Sequence, residues 1–92
     1  MPKLSEQEIQ QRLHQMPWSR EGEAIVREWT FADFAAALAF VVRVGEAAER
    51  ANHHPDILLH GWNKVRLTLS THSQGALTQA DFDLARSVDG FA

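Results

Sequence analysis

The chain has 92 residues, 45% of them hydrophobic and 23% charged, which is the balance of a folded globular protein and enough for one domain over residues 1–92. A formal net charge of −3 argues against a basic face for nucleic acid, and the lack of cysteine excludes disulfides, thiolate nucleophiles and cysteine-ligated zinc. The first ten residues contain no apolar run typical of a signal peptide, and the apolar stretch 34–44 is too short to span a bilayer. A cytoplasmic protein with neither a nucleic-acid nor a membrane partner is therefore expected.

The first predicted elements are a helix and a pair of strands. A capping-box pattern, serine followed three residues later by glutamate, opens a predicted helix over residues 5–14. Residues 18–30 are expected to form two short strands around a turn at 20–22. The second of these strands, 24–30, has the β-branched and aromatic content typical of a strand.

A long helix is predicted next, from a capping box at Thr30 and Asp33 to about Ala51. Its apolar residues recur at helical spacing and are expected to form one stripe that faces the core, namely Phe34, Leu38, Val41, Val42 and Ala48. Pro55 disfavours helical geometry at the residue before it, so the helix should end earlier.

Two more strands, 57–62 and 64–71, and a helix that begins at Thr78 complete the chain. In the second strand, Val65, Leu67 and Leu69 alternate with polar residues and should face the core. The order α-β-β-α-β-β-α predicts an α+β domain with a four-stranded antiparallel sheet and helices packed on one face. A chain this short has a modest hydrophobic core. Association into oligomers, through the sheet edge or the uncovered face of the sheet, is therefore expected.

Proton-transfer chemistry is indicated by five histidines, at positions 14, 53, 54, 60 and 72. Imidazole is the side chain best suited to give and take protons near neutral pH. In Glu49-x-x-x-His53-His54-Pro55, the carboxylate lies four residues before His53 and could hold its ring on one face of the helix end. Pro55 favours an extended conformation at His54, so the two imidazoles should leave the backbone in different directions.

Two groups farther along the chain could join these histidines. His72 is expected to end the fourth strand, on the face opposite its apolar residues, and Asp81 lies in the first turn of the last helix. The groups would converge if the two hairpins are neighbours in the sheet.

Structural roles could also explain these residues. His53 and His54 would suit a helix C-terminus, where the dipole favours cations. The spacing of Thr78 and Asp81 is itself that of a capping box. Trp18 could be a core or interface residue, because tryptophan is found there more often than in contact with a ligand. No metal site is predicted, because adjacent histidines before a proline do not readily chelate one ion.

In combination, the motifs resemble the pterin-4a-carbinolamine dehydratase family. The resemblance is carried by Glu49-x-x-x-His53-His54-Pro55, Trp62-Asn63-Lys64-Val65, Leu69-Ser70-Thr71-His72 and Leu77-Thr78 with Asp81. It implies dehydration of 4a-hydroxytetrahydrobiopterin or a related pterin to the quinonoid dihydropterin, which regenerates the cofactor of aromatic amino-acid hydroxylases. It also implies a homodimer or homotetramer, with a pterin as substrate, no cofactor, and a hydroxylase as a pathway partner.

The resemblance further implies roles for particular residues. The catalytic acid and base candidates are His53 and His72, joined by His54, which mainly binds the pterin. The supporting carboxylates are Glu49 and Asp81, and the other substrate contacts are Pro55, Ser70, Thr71 and Trp18. Loss of hydroxide from C4a needs one proton delivered to the leaving oxygen and another removed from a ring nitrogen, which imidazoles can do without a metal.

Two departures from the family pattern and two alternative functions complete the interpretation. One additional residue before Trp62 is expected to form a bulge near Gly61. Ala76 replaces the glycine usual in the family, so Gly75 is expected to supply any left-handed turn there. The alternatives are a non-catalytic interaction protein, since animal relatives act as dimerisation cofactors of a transcription factor, and a pterin-related role in molybdenum-cofactor metabolism.

Overall fold

The computed structural model of the chain describes residues 2–92. Its elements are α1 (Glu6–Leu13), β1 (Ser19–Glu21), β2 (Ala24–Thr30), α2 (Phe34–Ala51), β3 (Asp56–His60), β4 (Lys64–Leu69) and α3 (Gln79–Phe91). This order and the α+β class are those predicted from the sequence. Within the described residues, no helix is both long enough and apolar enough to cross a membrane.

The four strands form one antiparallel sheet in the spatial order β1-β2-β4-β3, so the two hairpins lie side by side. In β4 the predicted alternation is confirmed, because Val65, Leu67 and Leu69 are each no more than 1% exposed. β3 runs antiparallel to β4, with Asp56 opposite Thr68. Because antiparallel strands continue past each other at their ends, the residues just before β3 lie close to those just after β4.

Helix α2 packs on the sheet through a different face from the one expected. Its buried residues are Ala37, Phe40, Val44, Ala47 and Ala48. Ala48 is thus buried as predicted, and Val41 is half-buried. The prediction was wrong for Phe34, Leu38 and Val42, which are 50%, 46% and 55% exposed. α2 carries two apolar stripes, and the stripe rich in alanine lets the helix approach the sheet closely.

The helices begin at capping side chains. The capping box of α1 is confirmed, with Ser5 N donating to Glu8 Oε1 at 2.9 Å and Glu8 N donating to Ser5 Oγ at 3.2 Å. These hydrogen bonds hold the pKa of the Glu8 carboxyl below its usual range. For α2, the expected capping box was wrong, because Thr30 is the last residue of β2. Asp33 caps this helix alone, by accepting a 2.8 Å hydrogen bond from Ala36 N.

The loop between β3 and β4 includes Gly61, near which a bulge was expected. β3 ends at His60, and Gly61 and Trp62 both adopt positive φ, +55° and +61°. Asn63 closes the loop, since its Nδ2 donates to the Phe31 carbonyl at 2.9 Å and its own carbonyl accepts from Phe31 N at 2.8 Å. The bulge prediction was therefore wrong. Gly61 and Trp62 lie outside the strands, and β4 keeps the predicted alternation of buried and less buried residues.

Candidate active site

The end of α2 sets the directions of the two adjacent histidines. Asn52 adopts the left-handed conformation, with φ 49° and ψ 44°, and its N–H donates to the carbonyls of Ala48 and Glu49. His53 N also donates to the Ala48 carbonyl, at 3.1 Å, so both N–H groups satisfy carbonyls of the last turn. The chain leaves the helix at Asn52. The helical i,i+4 relation predicted for Glu49 and His53 therefore does not apply.

His53 instead pairs with Asp81, in the first turn of α3. Its Nε2 lies 2.5 Å from Asp81 Oδ1, and the carboxyl group is completely buried. The other carboxyl oxygen, Oδ2, accepts from Thr71 Oγ1 and from Thr78 N, both at 2.9 Å. Asp81 is thus fixed by its neighbours and in turn holds the His53 ring.

This pairing decides which nitrogen of His53 can react. A carboxylate accepts hydrogen bonds, so the proton lies on Nε2 and neutral His53 has its lone pair on Nδ1. Nδ1 has no hydrogen-bond partner among residues 2–92. The arrangement resembles the orienting carboxylate of hydrolase triads, in which the acid stabilises the imidazolium as it forms. His53 is therefore equipped to act as a general base through Nδ1.

His54 takes the carboxylate that had been expected for His53. Its Nε2 pairs with Glu49 Oε2, and both side chains are exposed, 57% for His54 and 77% for Glu49. An ion pair this exposed contributes little stability. The pair fixes the Nε2 side of the His54 ring towards Glu49.

His72 lies in a four-residue loop between Thr71 and Ala76. β4 ends at Leu69, so the prediction that His72 ends this strand was wrong. Thr71 N donates to the Ala76 carbonyl at 3.0 Å, and Gly75 takes the left-handed turn with φ +57°. Ala76 is buried with ordinary backbone geometry, as expected if Gly75 supplies the turn. The loop leaves His72 exposed at its start.

The two segments enclose a cleft of about 190 Å³, here called the histidine cleft. Its lining residues are Asn52, His53, His54, Ser70, Thr71, His72 and Ser73. The pairing of β3 with β4 explains the convergence, because 52–54 precede β3 and 70–73 follow β4. The predicted meeting of all three candidate histidines is therefore seen in the structure.

Two larger depressions lack this concentration of imidazoles. One, of about 580 Å³, is lined by Gln10, Gln11, His14 and Gln15 at the end of α1. The other, of about 380 Å³, lies beside β1, β2 and β4, and its arginines are already paired. Arg27 contacts Asp89 at 2.6 Å, and Arg66 contacts Glu21 at 2.7 Å. The chemistry of the lining, rather than size, therefore identifies the histidine cleft as the candidate active site.

Ser70 and Thr71, two of the predicted substrate contacts, have hydroxyl groups that already form hydrogen bonds within the protein. Ser70 Oγ donates to the Glu23 carbonyl at 2.7 Å, and Thr71 Oγ1 donates to Asp81. Both residues line the cleft, and each hydroxyl has already donated its hydrogen to a protein acceptor. Pro55 is not part of the lining.

Trp18 lies in the core, away from the cleft. Its ring is 5% exposed and packs edge-on against Trp29, with the ring centroids 5.7 Å apart. Its Nε1 donates to the Asp89 carboxylate at 3.0 Å. The position matches the alternative interpretation of Trp18 as a core aromatic and does not support a substrate contact, because the indole N–H is already satisfied.

The remaining histidines lie outside the site. His14 is the exposed C-terminal cap of α1, and His60 Nε2 lies 2.5 Å from Glu28 Oε1 on the surface. Among residues 2–92, no cluster of three or more histidine, aspartate or glutamate side chains has the geometry of a metal site.

Two features of the cleft were not predicted from the sequence. Asn52 lines it and turns the chain into it, and asparagine just before the double histidine was the available signal for a left-handed helix end. The contact of Thr71 with Asp81 was also missed. The spacing of Thr78 and Asp81 indicates a helix start, but it does not show that the second carboxyl oxygen reaches His53.

Comparison of the sequence with known proteins shows which family the chain resembles. The sequence profile described as pterin 4 alpha carbinolamine dehydratase matches residues 2–91. A relative from Chloroflexus aurantiacus is 52% identical over 90 residues, which cover 97% of this chain and 96% of the relative. One from Nocardia farcinica is 51% identical over 90 residues, with 97% and 94% covered. Both are named as candidate pterin-4-alpha-carbinolamine dehydratases.

Solved structures agree with the fold. A crystal structure from Brucella melitensis, described as a transcriptional coactivator/pterin dehydratase, superimposes with a TM-score of 0.90 at 33% identity and 97% coverage of each chain. A pterin dehydratase-like protein described as a RuBisCO assembly factor in the alpha-carboxysome gives a TM-score of 0.65 at 21% identity, with 86% of this chain and 90% of that chain covered. The second likeness shows the fold alone.

Proposed function

This chain belongs to the pterin 4 alpha carbinolamine dehydratase family, and we propose that it removes water from a 4a-hydroxytetrahydropterin to release the quinonoid dihydropterin. The observation that carries the proposal is the histidine cleft, in which His53, His54 and His72 meet and His53 is held by the buried Asp81. The proposed activity is that of a hydro-lyase that works by acid and base catalysis alone.

The protons are assigned from the environment of each imidazole. His53 Nδ1 takes a proton from a ring nitrogen of the pterin, because the Asp81 carboxylate stabilises the imidazolium that forms. Protonated His72, exposed at the start of its loop, delivers a proton to the C4a hydroxyl. The C4a–O bond breaks, its electron pair leaves with the oxygen as water, and the electrons of the N–H bond form the new ring double bond. His54, oriented by Glu49, hydrogen-bonds the pterin.

Dehydration of 4a-hydroxytetrahydropterin by the purified protein tests this proposal. The substrate is generated in a coupled hydroxylase reaction, and formation of the quinonoid product is followed optically. We expect a rate above the spontaneous one that increases in proportion to protein concentration. A folded protein that leaves the spontaneous rate unchanged would refute the proposed activity.

The proposed physiological setting follows the family. Dehydration would return the pterin to the cycle used by an aromatic amino-acid hydroxylase, and the cytoplasm remains the predicted location. The non-catalytic alternative is supported by an observation on α2, where Phe34, Leu38 and Val42 form an exposed apolar stripe. The names of the two structural relatives, a coactivator and an assembly factor, also refer to interactions of those proteins.

We further propose that the chain forms a homo-oligomer through this stripe on α2. The three residues are spaced four apart on one helix face, and each is about half exposed. Stripes of this kind are typical of helix–helix contacts, and a small domain gains core from them. The edge strand β3 exposes Ile57 and Leu58 and offers a second apolar surface.

Leu38→Glu is expected to lower the assembly mass, because it places a charge in the centre of the proposed contact. Light scattering after size exclusion should give a multiple of 10.4 kDa for the unchanged protein and a smaller assembly for the variant. Gln11→Glu adds the same charge on α1 and serves as the control. An unchanged protein that elutes at 10.4 kDa at every concentration would contradict oligomerisation.

A further inference from the structure

Two buried hydroxyl groups, those of Thr71 and Thr78, lie beside the carboxylate that holds His53. Thr71 is 7% exposed and Thr78 is completely buried. Thr71 Oγ1 lies 2.9 Å from Asp81 Oδ2 and 2.7 Å from Thr78 Oγ1. The proton transfers proposed above use neither hydroxyl, so a contribution of these groups to catalysis would have to pass through Asp81.

The hydrogen bonds between these groups run in one direction. A carboxylate only accepts hydrogen bonds, so the Thr71 hydroxyl donates its hydrogen to Asp81 Oδ2. The hydrogen between the two hydroxyl groups must then come from Thr78 Oγ1. Thr78 thus donates to Thr71 and Thr71 donates to Asp81, and hydrogen bonds in such a chain strengthen one another.

The backbone of Thr71 is itself fixed. Its N–H donates to the Ala76 carbonyl at 3.0 Å, and its carbonyl accepts from Gln74 N at 3.0 Å. The Thr71 hydroxyl therefore meets Asp81 from a defined position just after β4.

The two oxygens of the Asp81 carboxylate have different partners. Oδ2 accepts from Thr71 Oγ1 and from Thr78 N, whereas Oδ1 lies 2.5 Å from His53 Nε2. The backbone holds Thr78 N independently of Thr71, because the carbonyl of the same peptide unit accepts from Leu4 N at 3.0 Å. A side-chain hydroxyl and a backbone N–H thus share Oδ2, and together they set the plane of the carboxyl group.

The Thr71 hydroxyl has one lone pair left for a substrate. Its hydrogen goes to Asp81, and its other lone pair accepts from Thr78. The family resemblance implies a substrate contact for Thr71, whereas this geometry favours a role through Asp81.

We propose that Thr71 is a positioning residue, whose hydroxyl fixes the Asp81 carboxylate and thereby keeps the proton of neutral His53 on Nε2. Without this hydroxyl the carboxyl group would be free to turn. The His53 ring would then sample the tautomer that carries its proton on Nδ1, which cannot act as the base. The proposal rests on the function proposed above and adds a residue that acts without contacting the reacting atoms.

Thr71→Val tests the proposal, because valine has the shape of threonine without the hydroxyl. With one hydrogen bond to Asp81 lost, kcat for pterin dehydration should fall about tenfold, while KM changes less than about twofold. Thr71→Ser keeps the hydroxyl and should restore kcat to within about threefold of the unchanged protein. If Thr71→Val does not fold, Thr71→Ala removes the same hydroxyl with less bulk, and the same results are expected of it.

Nitrogen-15 NMR of the His53 ring gives a readout that a purely structural role of Thr71 would not change. At a pH where the ring is neutral, the two ring nitrogens should have clearly different chemical shifts in the unchanged protein and in Thr71→Ser, because only Nε2 carries a proton. In Thr71→Val the two shifts should approach each other, because exchange between the tautomers averages them. A loss of stability alone would leave the shifts of the folded protein as they are.

Thr68→Val is the matched control, because Thr68 lies in β4 on the face away from its buried residues and does not line the histidine cleft. The control should change neither kcat nor the His53 shifts.

Three results would overturn the positioning role: an unchanged kcat in folded Thr71→Val, a raised KM as its main effect, or a lower kcat with unchanged His53 shifts. The second of these would make Thr71 a substrate contact. Because the NMR readout needs no turnover, it is independent of the proposed activity. A protein that does not accelerate dehydration, but whose His53 shifts change in Thr71→Val and recover in Thr71→Ser, would refute the activity and leave the positioning role supported.

Discussion

Simultaneous replacement of His53 and His72 by alanine should reduce pterin dehydration to the spontaneous rate. General acid and base groups each contribute about 10²–10⁴ in rate. Each single alanine variant should therefore lose about a hundredfold or more in kcat. The two single losses should not simply add, because both groups act on one bond-breaking event.

The double variant is expected to fold, because His72 is exposed and His53 contributes one contact to the buried network. Circular dichroism should confirm this before rates are compared. His14→Ala is the matched control, since His14 lies on the surface at the end of α1 and should retain full activity. Undiminished turnover in the folded double variant would remove both histidines from the mechanism.

Asp81→Asn should have the second large effect, and it should separate catalysis from folding. An amide at this position can keep its oxygen towards Thr71 Oγ1 and Thr78 N, which then places its NH₂ group against His53 Nε2. To accept that hydrogen bond, His53 must carry its proton on Nδ1, the nitrogen that Asp81 does not contact. Because this is the wrong tautomer for a base, kcat should fall by about 10³–10⁴, as when the orienting aspartate of a hydrolase triad is replaced by asparagine.

The same substitution should reduce the free energy of unfolding by only about 1–3 kcal/mol, because the hydrogen bonds at the helix start are kept. Asp81→Ala leaves buried donors without an acceptor and should destabilise the protein by about 3–5 kcal/mol. Chemical denaturation measures both variants. The control is Asp33→Asn, since asparagine caps a helix as well as aspartate. If Asp81→Asn turns over substrate as fast as the unchanged protein, the carboxylate does not set the tautomer of His53.

The order of elements could be predicted because each has a local signature. The capping box at Ser5 and Glu8 depends only on residues near each other in the chain. The same holds for the alternation in β4, and both are seen in the structure. The buried face of α2 could not be predicted from a local pattern, because both stripes on this helix are apolar. Which stripe is buried depends on how closely the helix approaches the sheet, and Leu38 and Phe40 are indistinguishable on composition alone.

The site was predictable in its residue types but not in its pairings. Glu49 and His53 were placed together by helical spacing, yet the left-handed Asn52 ends the helix and transfers Glu49 to His54. Asp81 is 28 residues from His53 in the chain, and the adjacency of β3 and β4 and the packing of α2 against α3 bring them together. Long-range pairings of this kind depend on strand order, which no local pattern contains.

The buried carboxylate of Asp81 also has a consequence for the order of assembly. It ties the turn at His53 to a distant part of the chain, at Thr71 just after β4 and at Thr78 where α3 begins. Contacts between distant segments form only after the loops between them have closed. Catalytic competence should therefore appear in the final cooperative step of folding, and the Thr78 amide should exchange its hydrogen with solvent only when the whole domain opens.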